Sequence, residues 1–216
     1  MLGSFFIIKN RIKCFFGGVF SENDNVLDVG CGGMPYYHKA IKAKITCLDI
    51  KATKNSHVLG DAHSLPFKDS KFDGIVCVNS FYYYKNPFDA IREFSRILKK
   101  SGRLVMVMPF IYPIHDAPHD LYRFTEYGVR EILGKEFNIV KIKPIGGIFN
   151  LPAVFFHSLI KGIPLSFPKQ LKPMIKFFTI LVFYIPYILA QIMSLLDFLD
   201  RTGRWPTYYF VLAVKK

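Results

Sequence analysis

Cysteine pairs at metal-ligand or redox spacing are missing from this sequence: Cys14, Cys31, Cys47 and Cys77 form no Cys-x-x-Cys or Cys-x-x-His. Without such spacing neither a zinc ribbon nor a dithiol exchanger is expected, and the thiols read as reduced, in a cytosolic compartment. Acidic residues are scarce, 16 Asp and Glu against 29 Lys and Arg, a formal charge of +13. That balance suits either nucleic acid or an anionic membrane face, and charge alone does not separate them. A secretory leader pattern is missing too, because basic residues interrupt the apolar N-terminus MLGSFFIIKNRIKCFFGGVF and no small-residue cleavage site follows. Finally, FFTILVFYIPYILAQIMSLL (177–196) has no charged residue at all. With 51% apolar residues in the whole chain, part of the surface is expected to meet something other than water.

The 216 residues are enough for one full-sized domain and an appendage. From 26 to 145, short apolar runs alternate with segments of helical period, the pattern of a parallel sheet wrapped by helices. Strands are expected at 26–30, 45–50, 57–61, 72–80, 103–109 and 137–145. Helices are expected at 36–43, 86–100 and 125–135, the second with Phe88, Ile91, Phe94, Ile97 and Leu98 on its apolar stripe and a stop before Ser101-Gly102. A last strand is expected in 207–216. The expected organisation is therefore a basic amphipathic segment (1–25), an α/β domain (26–146 with 204–216) and a hydrophobic helical insert (147–203). The charge-free run is long enough to span a bilayer. If the last strand rejoins the same sheet, both ends of the insert lie on one side, leaving a cap on the domain's own core, an in-plane or re-entrant membrane element or a hairpin that never crosses, or a true span as the alternatives. Prolines and Lys161 in its first half speak against a paired second span.

The stretch VLDVGCGGMPYY (26–37) ends an apolar strand in glycines, where bare backbone lets a ligand approach closely. A pyrophosphate loop would read G-x-G-x-x-G, but after Gly30 and Gly32 the third glycine position holds Pro35. Asp28, just before the glycines, suits an ammonium group and would repel a phosphate. Asp49 closes the second strand about 20 residues on, where a carboxylate can accept both ribose hydroxyls.

These residues resemble the first motifs of class I S-adenosylmethionine-dependent methyltransferases, D/E-x-G-x-G-x-G, with Asp28, Gly30 and Gly32 in register and the third glycine shifted to Gly33, leaving Met34 in its place. The run Asp61-Ala62-His63-Ser64-Leu65-Pro66-Phe67, followed by Phe72-Asp73, is similar to methyltransferases of the ubiquinone and menaquinone biosynthesis type. The resemblance covers about 20–145 and implies a Rossmann-like, seven-stranded, mostly parallel sheet and S-adenosylmethionine as cofactor. It implies cofactor contacts from Asp28, Gly30, Gly32, Gly33, Asp49, Asp61, Ala62 and Asn79, with Asp61 on the adenine amino group and the Ala62 amide on the ring. Relatives that methylate exocyclic base amines carry Pro-Pro after the residue matching Asn79. Here Ser80-Phe81 follow, which counts against that use. Tyr82, Tyr83 and Tyr84 either wall the cofactor's sulfonium and the acceptor or pack under the following helix.

Beyond the fifth strand, PFIYPIHDAPHDLYRFT (109–125) is the densest polar segment. Loops leaving the carboxyl ends of parallel strands form the site in such sheets. Histidine is the side chain most often used as a general base, which makes His115 and His119 candidates; Asp116 or Asp120 could orient an imidazole, and Arg123 could bind an anionic acceptor or pair with Asp120. The alternative is a structural loop capping the helix at Thr125-Glu126. The arrangement is similar to that of glycan and small-molecule tailoring methyltransferases, and within that resemblance His115, then His119, with Asp120, are the catalytic candidates. Metal-ligand spacing on a helix or strand is absent, so no metal is expected, and His38, His57, His63 and His157 read as structural or surface residues. The expected function is O-methylation of a small or lipid-linked acceptor, glycan or quinone-like, by a cytoplasmic protein peripheral on the inner membrane face. The alternatives are an RNA methyltransferase, disfavoured because the basic residues are scattered, and a non-catalytic membrane-associated protein of the same fold.

Overall fold

Apolar, β-branched runs are buried on both faces in a parallel sheet, and 26–29, 72–78 and 104–109 of this chain are largely buried in that way. The computed structural model, which describes residues 6–33 and 35–216, has strands β1 (Asn25–Val29), β2 (Lys44–Asp49), β3 (Val58–Leu59), β4 (Phe72–Val78), β5 (Leu98–Pro109), β6 (Phe137–Ile145) and β7 (Tyr208–Lys215). They form one sheet in the order β3-β2-β1-β4-β5-β7-β6. The β1–β2, β1–β4, β2–β3 and β4–β5 pairs are parallel and β7 runs antiparallel to β5. The chain winds outward from β1 to β3, then returns to β4 on β1's other side. That reversal opens a crevice at the carboxyl ends of β1 and β4, where ligands of such sheets bind.

Among the described residues there are five α-helices: α1 (Phe6–Phe16), α2 (Pro87–Ile97), α3 (Glu126–Leu133), α4 (Leu151–Gly162) and α5 (Lys172–Met193). Contacts divide the chain into two compact units. One holds 11–110, 114–143 and 208–216; the other holds 1–10, 111–113 and 144–207. In the first, the core is built from Leu27, Val29, Leu48, Ile75, Leu104, Met106 and Val211 on the strands with Ile91, Phe94 and Ile132 on the helices. Each such side chain contributes about 1.5–3 kcal/mol on burial. The α1 residues Ile8, Ile12 and Phe16, four apart, are buried, so its apolar stripe already faces protein. Residues 1–5 of the expected basic segment lie outside the described ones.

Two expected helices change. At 36–43 only a single 3-10 turn forms, His38–Ala40. Tyr37 and His38 both reach one buried carboxylate, Asp28, whereas neighbouring side chains on an α-helix diverge by about 100°. The helix expected to reach residue 100 stops at Ile97. Its last carbonyls, on Arg96 and Ile97, accept the Ser70 and Lys71 amides, and Leu98, fully buried, already pairs with Phe72. Phe88, expected on the buried stripe, is 45% exposed.

Candidate functional site

The glycine loop sits where β1 ends. Gly30 has φ of +75° and Gly32 +62°, the left-handed region that side chains avoid. A Cβ on Gly30 would lie 2.4 Å from Ser80 Cβ, so the ends of β1 and β4 approach through the missing side chain. Ser80 Oγ closes the contact by donating to Val29 O at 2.8 Å. A Cβ added to Gly32 or Gly33 would meet open space among the described residues, and Met34 lies outside the described residues.

Asp49, at the end of β2, binds the loop back. Its Oδ2 accepts Gly32 N–H at 2.9 Å and its Oδ1 accepts Lys51 N–H at 3.1 Å. Each oxygen keeps a second lone pair for a ligand hydroxyl. From the loop after β2, Asn55 Nδ2 donates to Gly33 O at 2.6 Å, so this loop's outer edge is fixed by a residue the sequence did not single out.

Asp28 is placed differently from a ligand carboxylate. Fully buried, it accepts Tyr37 Oη at 2.8 Å and meets His38 Nε2 at 2.6 Å. Burial raises its pKa, against hydrogen bonds from His38 and Tyr37 that lower it. It therefore braces the loop from beneath, and His38, read from sequence as an ordinary residue, is half of that brace. The signal was present in the Tyr37-His38 pair ten residues after an aspartate. Cys47 Sγ lies within 4.8 Å of the Asp28 and His38 ligand atoms, and burial raises its thiol pKa as it does that of Cys31, pushed up to about 12.

Asp61 lies at the sheet edge beyond β3, exposed, with Oδ1 accepting His63 N–H at 2.9 Å and meeting His63 Nδ1 at 2.6 Å. Partial burial opposes ionisation, but the His63 hydrogen bonds prevail and hold the carboxyl below its ordinary range. His63 Nε2 in turn accepts the Asn86 amide at 3.2 Å, which ties Asp61 to the start of α2. Ala62 is buried beside it. Asn79 ends β4 with φ of +55°, and its Oδ1 is buried without a hydrogen-bond partner among the described residues.

The third group lies in the polar loop after β5. Tyr83 Oη is 2.8 Å from His115 Nδ1 and accepts Tyr82 Oη at 2.9 Å. His115 is itself exposed. Asp120, its side chain 2% exposed, does not orient the imidazole: it accepts the His115 backbone amide at 2.7 Å and pairs with Arg123 through both oxygens. The Arg123 guanidinium, lying 5.4 Å from the centre of the Tyr82 ring, holds the Asp120 carboxyl below its ordinary range. His119 is exposed on the turn, its amide donating to Asp116 O at 3.0 Å. Thus the structure joins His115 to Tyr83 and Tyr82, and joins Asp120 to Arg123. A surface groove of about 410 Å³ between α2 and α3, lined by Asn86, Phe88, Arg92 and Lys135, contains none of the expected catalytic or cofactor-binding residues.

A family model described as a methyltransferase domain matches residues 27–106. The chain carries a class I S-adenosylmethionine-dependent methyltransferase domain. An uncharacterised protein of Methanocaldococcus jannaschii is 33% identical over 139 residues, covering 60% of this chain and 60% of that one. The demethylmenaquinone methyltransferase of Thermotoga maritima is 42% identical over 121 residues, covering 46% of this chain and 53% of the relative. The chain spans little more than half the length of these two relatives. Among solved structures, the cyclase SpnF matches with a TM-score of 0.61 at 18% identity, covering 95% of this chain and 79% of that one. That likeness concerns the fold, and a fold does not fix a reaction. The methyltransferase domain's family implies S-adenosylmethionine as methyl donor, and the residues fit it. The cradle at Gly30 and Gly32, the spare lone pairs of Asp49 and the unpartnered Asn79 Oδ1 gather at the carboxyl ends of β1, β2 and β4.

Proposed function

We propose that the chain is an S-adenosylmethionine-dependent methyltransferase acting on an oxygen of a small or lipid-linked acceptor. Bound cofactor supplies an electrophilic methyl group, and displacement by an alcohol or phenol releases a proton. The observation that carries the reading is the exposed His115 imidazole held through Nδ1 by Tyr83 Oη at 2.8 Å. With Nδ1–H donated to Tyr83, Nε2 keeps its lone pair and takes the acceptor's proton. Tyr83 Oη then accepts two hydrogen bonds, and burial raises its pKa so that it stays a neutral phenol. Arg123, anchored by Asp120, offers a cation to an anionic part of the acceptor, while Asp120 acts by positioning the His115 backbone. The T. maritima relative's name brings a quinone-type acceptor into the candidate class, beside polyprenyl-linked sugars.

The test is incubation with methyl-labelled S-adenosylmethionine and separate lipid, soluble-metabolite and RNA fractions. Label is expected in the lipid or metabolite fraction. His115→Ala should lower the transfer rate about 10²–10⁴-fold at neutral pH and leave cofactor binding by calorimetry intact. Transfer by this variant at the wild-type rate would remove His115 as the base, and label confined to RNA would replace the acceptor class.

A further inference from the structure

The 144–207 part of the second unit folds into a helical hairpin whose apolar surface is left uncovered. Phe156 meets Phe183 with ring centroids 6.3 Å apart and His157 meets Tyr187 at 5.9 Å, and the 3-10 turn entering α4 meets the segment after α5, Ile148 N–H donating to Asp200 Oδ2 at 3.1 Å, so α4 and α5 run antiparallel and the hairpin's tip is 163–171. Along α5 and the 3-10 turn after it, Phe177 (64%), Leu181 (64%), Ile185 (67%), Leu189 (56%), Ile192 (56%) and Phe198 (73%) are exposed. The first four stand four residues apart, which puts them in one stripe. A core helix of this hydropathy would be mostly covered, yet only 28% of the most apolar stretch within Lys172–Leu199 is buried. Uncovered apolar area of this extent marks an interaction surface.

Charge selects the partner. Lys161, Lys169, Lys172 and Lys176 flank the tip, and between 144 and 207 the acidic residues are only Asp197 and Asp200, at the opposite end. Asp200 is engaged there by the Ile148 and Thr202 amides. Lysines beside an exposed apolar stripe match an anionic bilayer surface, with headgroups on the ammonium groups and acyl chains on the stripe. The same lysines argue against crossing. A short loop with several lysines stays on the side where the chain is made, and α4 is 12 residues, about 18 Å. With the 3-10 turns on either side the stretch Ile148–Ser166 reaches 19 residues, long and apolar enough to cross by length and composition, but crossing would bury Lys161 in it and carry the tip lysines through the hydrocarbon core, where a Lys is costly. We propose that the α4–α5 hairpin is a monotopic anchor lying in the interface of an anionic bilayer, α5's stripe inward and the tip lysines at headgroup level.

The full chain should co-float with vesicles of phosphatidylcholine containing one-third phosphatidylglycerol, more weakly with phosphatidylcholine alone, and should resist release by molar salt because apolar contact remains. Leu181→Asn with Ile185→Asn changes two exposed positions, so the thermal midpoint should hold while flotation falls at least tenfold. Should that variant not fold, Lys169→Glu with Lys172→Glu should reduce binding selectively on the anionic vesicles. For the topology, Ser166→Cys in a Cys14→Ser background leaves only buried native thiols, and an impermeant maleimide should label the tip without opening the vesicles. Absence of flotation overturns the proposal, as does flotation indifferent to both variants. Concentration-dependent self-association that is abolished by the stripe substitutions, in a chain that does not float, assigns the face to a second copy instead. Labelling only after permeabilisation would turn the anchor into a span. None of these readings depends on methyl transfer, so failure here leaves the proposed activity untouched.

Discussion

Gly30 and Gly33 are separated by three positions and by very different demands. Gly30 needs a positive φ of +75° and has Ser80 Cβ 2.4 Å from where its own Cβ would be, while Gly33 has neither a positive φ nor, among the described residues beyond its chain neighbours, an atom within 4 Å of where a Cβ would stand. Holding a non-glycine residue in the left-handed region costs roughly 1–3 kcal/mol, and at Gly30 the clash adds separation of the β1 and β4 ends. Gly30→Ala should therefore lower the urea midpoint and weaken S-adenosylmethionine binding by more than tenfold. Gly33→Ala should leave stability within about 0.5 kcal/mol. Unfolding curves and calorimetry on the two variants check the contrast, and equal effects would mean that the loop is read wrongly. At this scale the sequence showed the identity of the motif, including Asp49 and Asp61, because residue type and spacing are what a motif consists of. It did not show that Asp28 is sealed under the loop by Tyr37 and His38, and it left the Arg123–Asp120 pair, which does form, as one of two alternatives. Those assignments depend on where a loop turns, and no period in the residues fixes that.

Among the elements, β6 was legible to the residue and α3 nearly so, because Thr125 is a capping residue directly before an apolar period and its side chain does accept Gly128 N–H at 3.1 Å. The end of α2 was hidden since its carbonyls are capped by Ser70 and Lys71 from a distant segment. That the proline-rich first half of the insert forms the helix α4 was obscured by those prolines: Pro152 stands at the first turn of α4, where a proline is tolerated, and Pro164 falls in the 3-10 turn after it. His157 on α4 makes the element pH-sensitive. Burial, with Lys161 and Lys9 adding repulsion, lowers its pKa to about 4. The unfolded imidazole binds a proton near pH 6.5, the folded one only near 4, so stability is intact above 6.5 and declines as pH falls through that window. Between pH 7 and pH 5 the loss should be roughly 2 kcal/mol. His157→Phe should flatten that part of the urea-midpoint profile while leaving the acid limb below pH 4, where carboxylates titrate. A profile unchanged by the substitution would mean that His157 is not what the folded state keeps neutral.

For the whole molecule, the order of the sheet makes β7, the seventh strand in chain order, an interior one. β7 lies between β5 and β6, and its Tyr208, Tyr209, Phe210, Val211 and Ala213 are buried. Phe210 also stacks on Phe15 at 4.8 Å and meets Phe16 edge-on at 6.2 Å, so the end of α1 depends on it. Removing Tyr208–Lys216 would leave β5 with an unpaired edge over the register Arg103–Pro109, strip β6 of its neighbour and expose both phenylalanines. Buried backbone groups without partners and that much uncovered apolar surface exceed the 5–15 kcal/mol by which a domain is ordinarily stable. The truncated chain should therefore lack a cooperative thermal transition in calorimetry and show no near-ultraviolet circular dichroism. Deleting Lys216 alone is the control. Its ammonium group caps Gly134 O and its amide donates to Glu136 O at 3.2 Å, both near the surface, so its loss should shift the midpoint by only a few degrees. If instead the nine-residue truncation melted cooperatively near the full-length midpoint, the sheet would have to close without β7, and the antiparallel strand would be an accessory to a fold complete at β6.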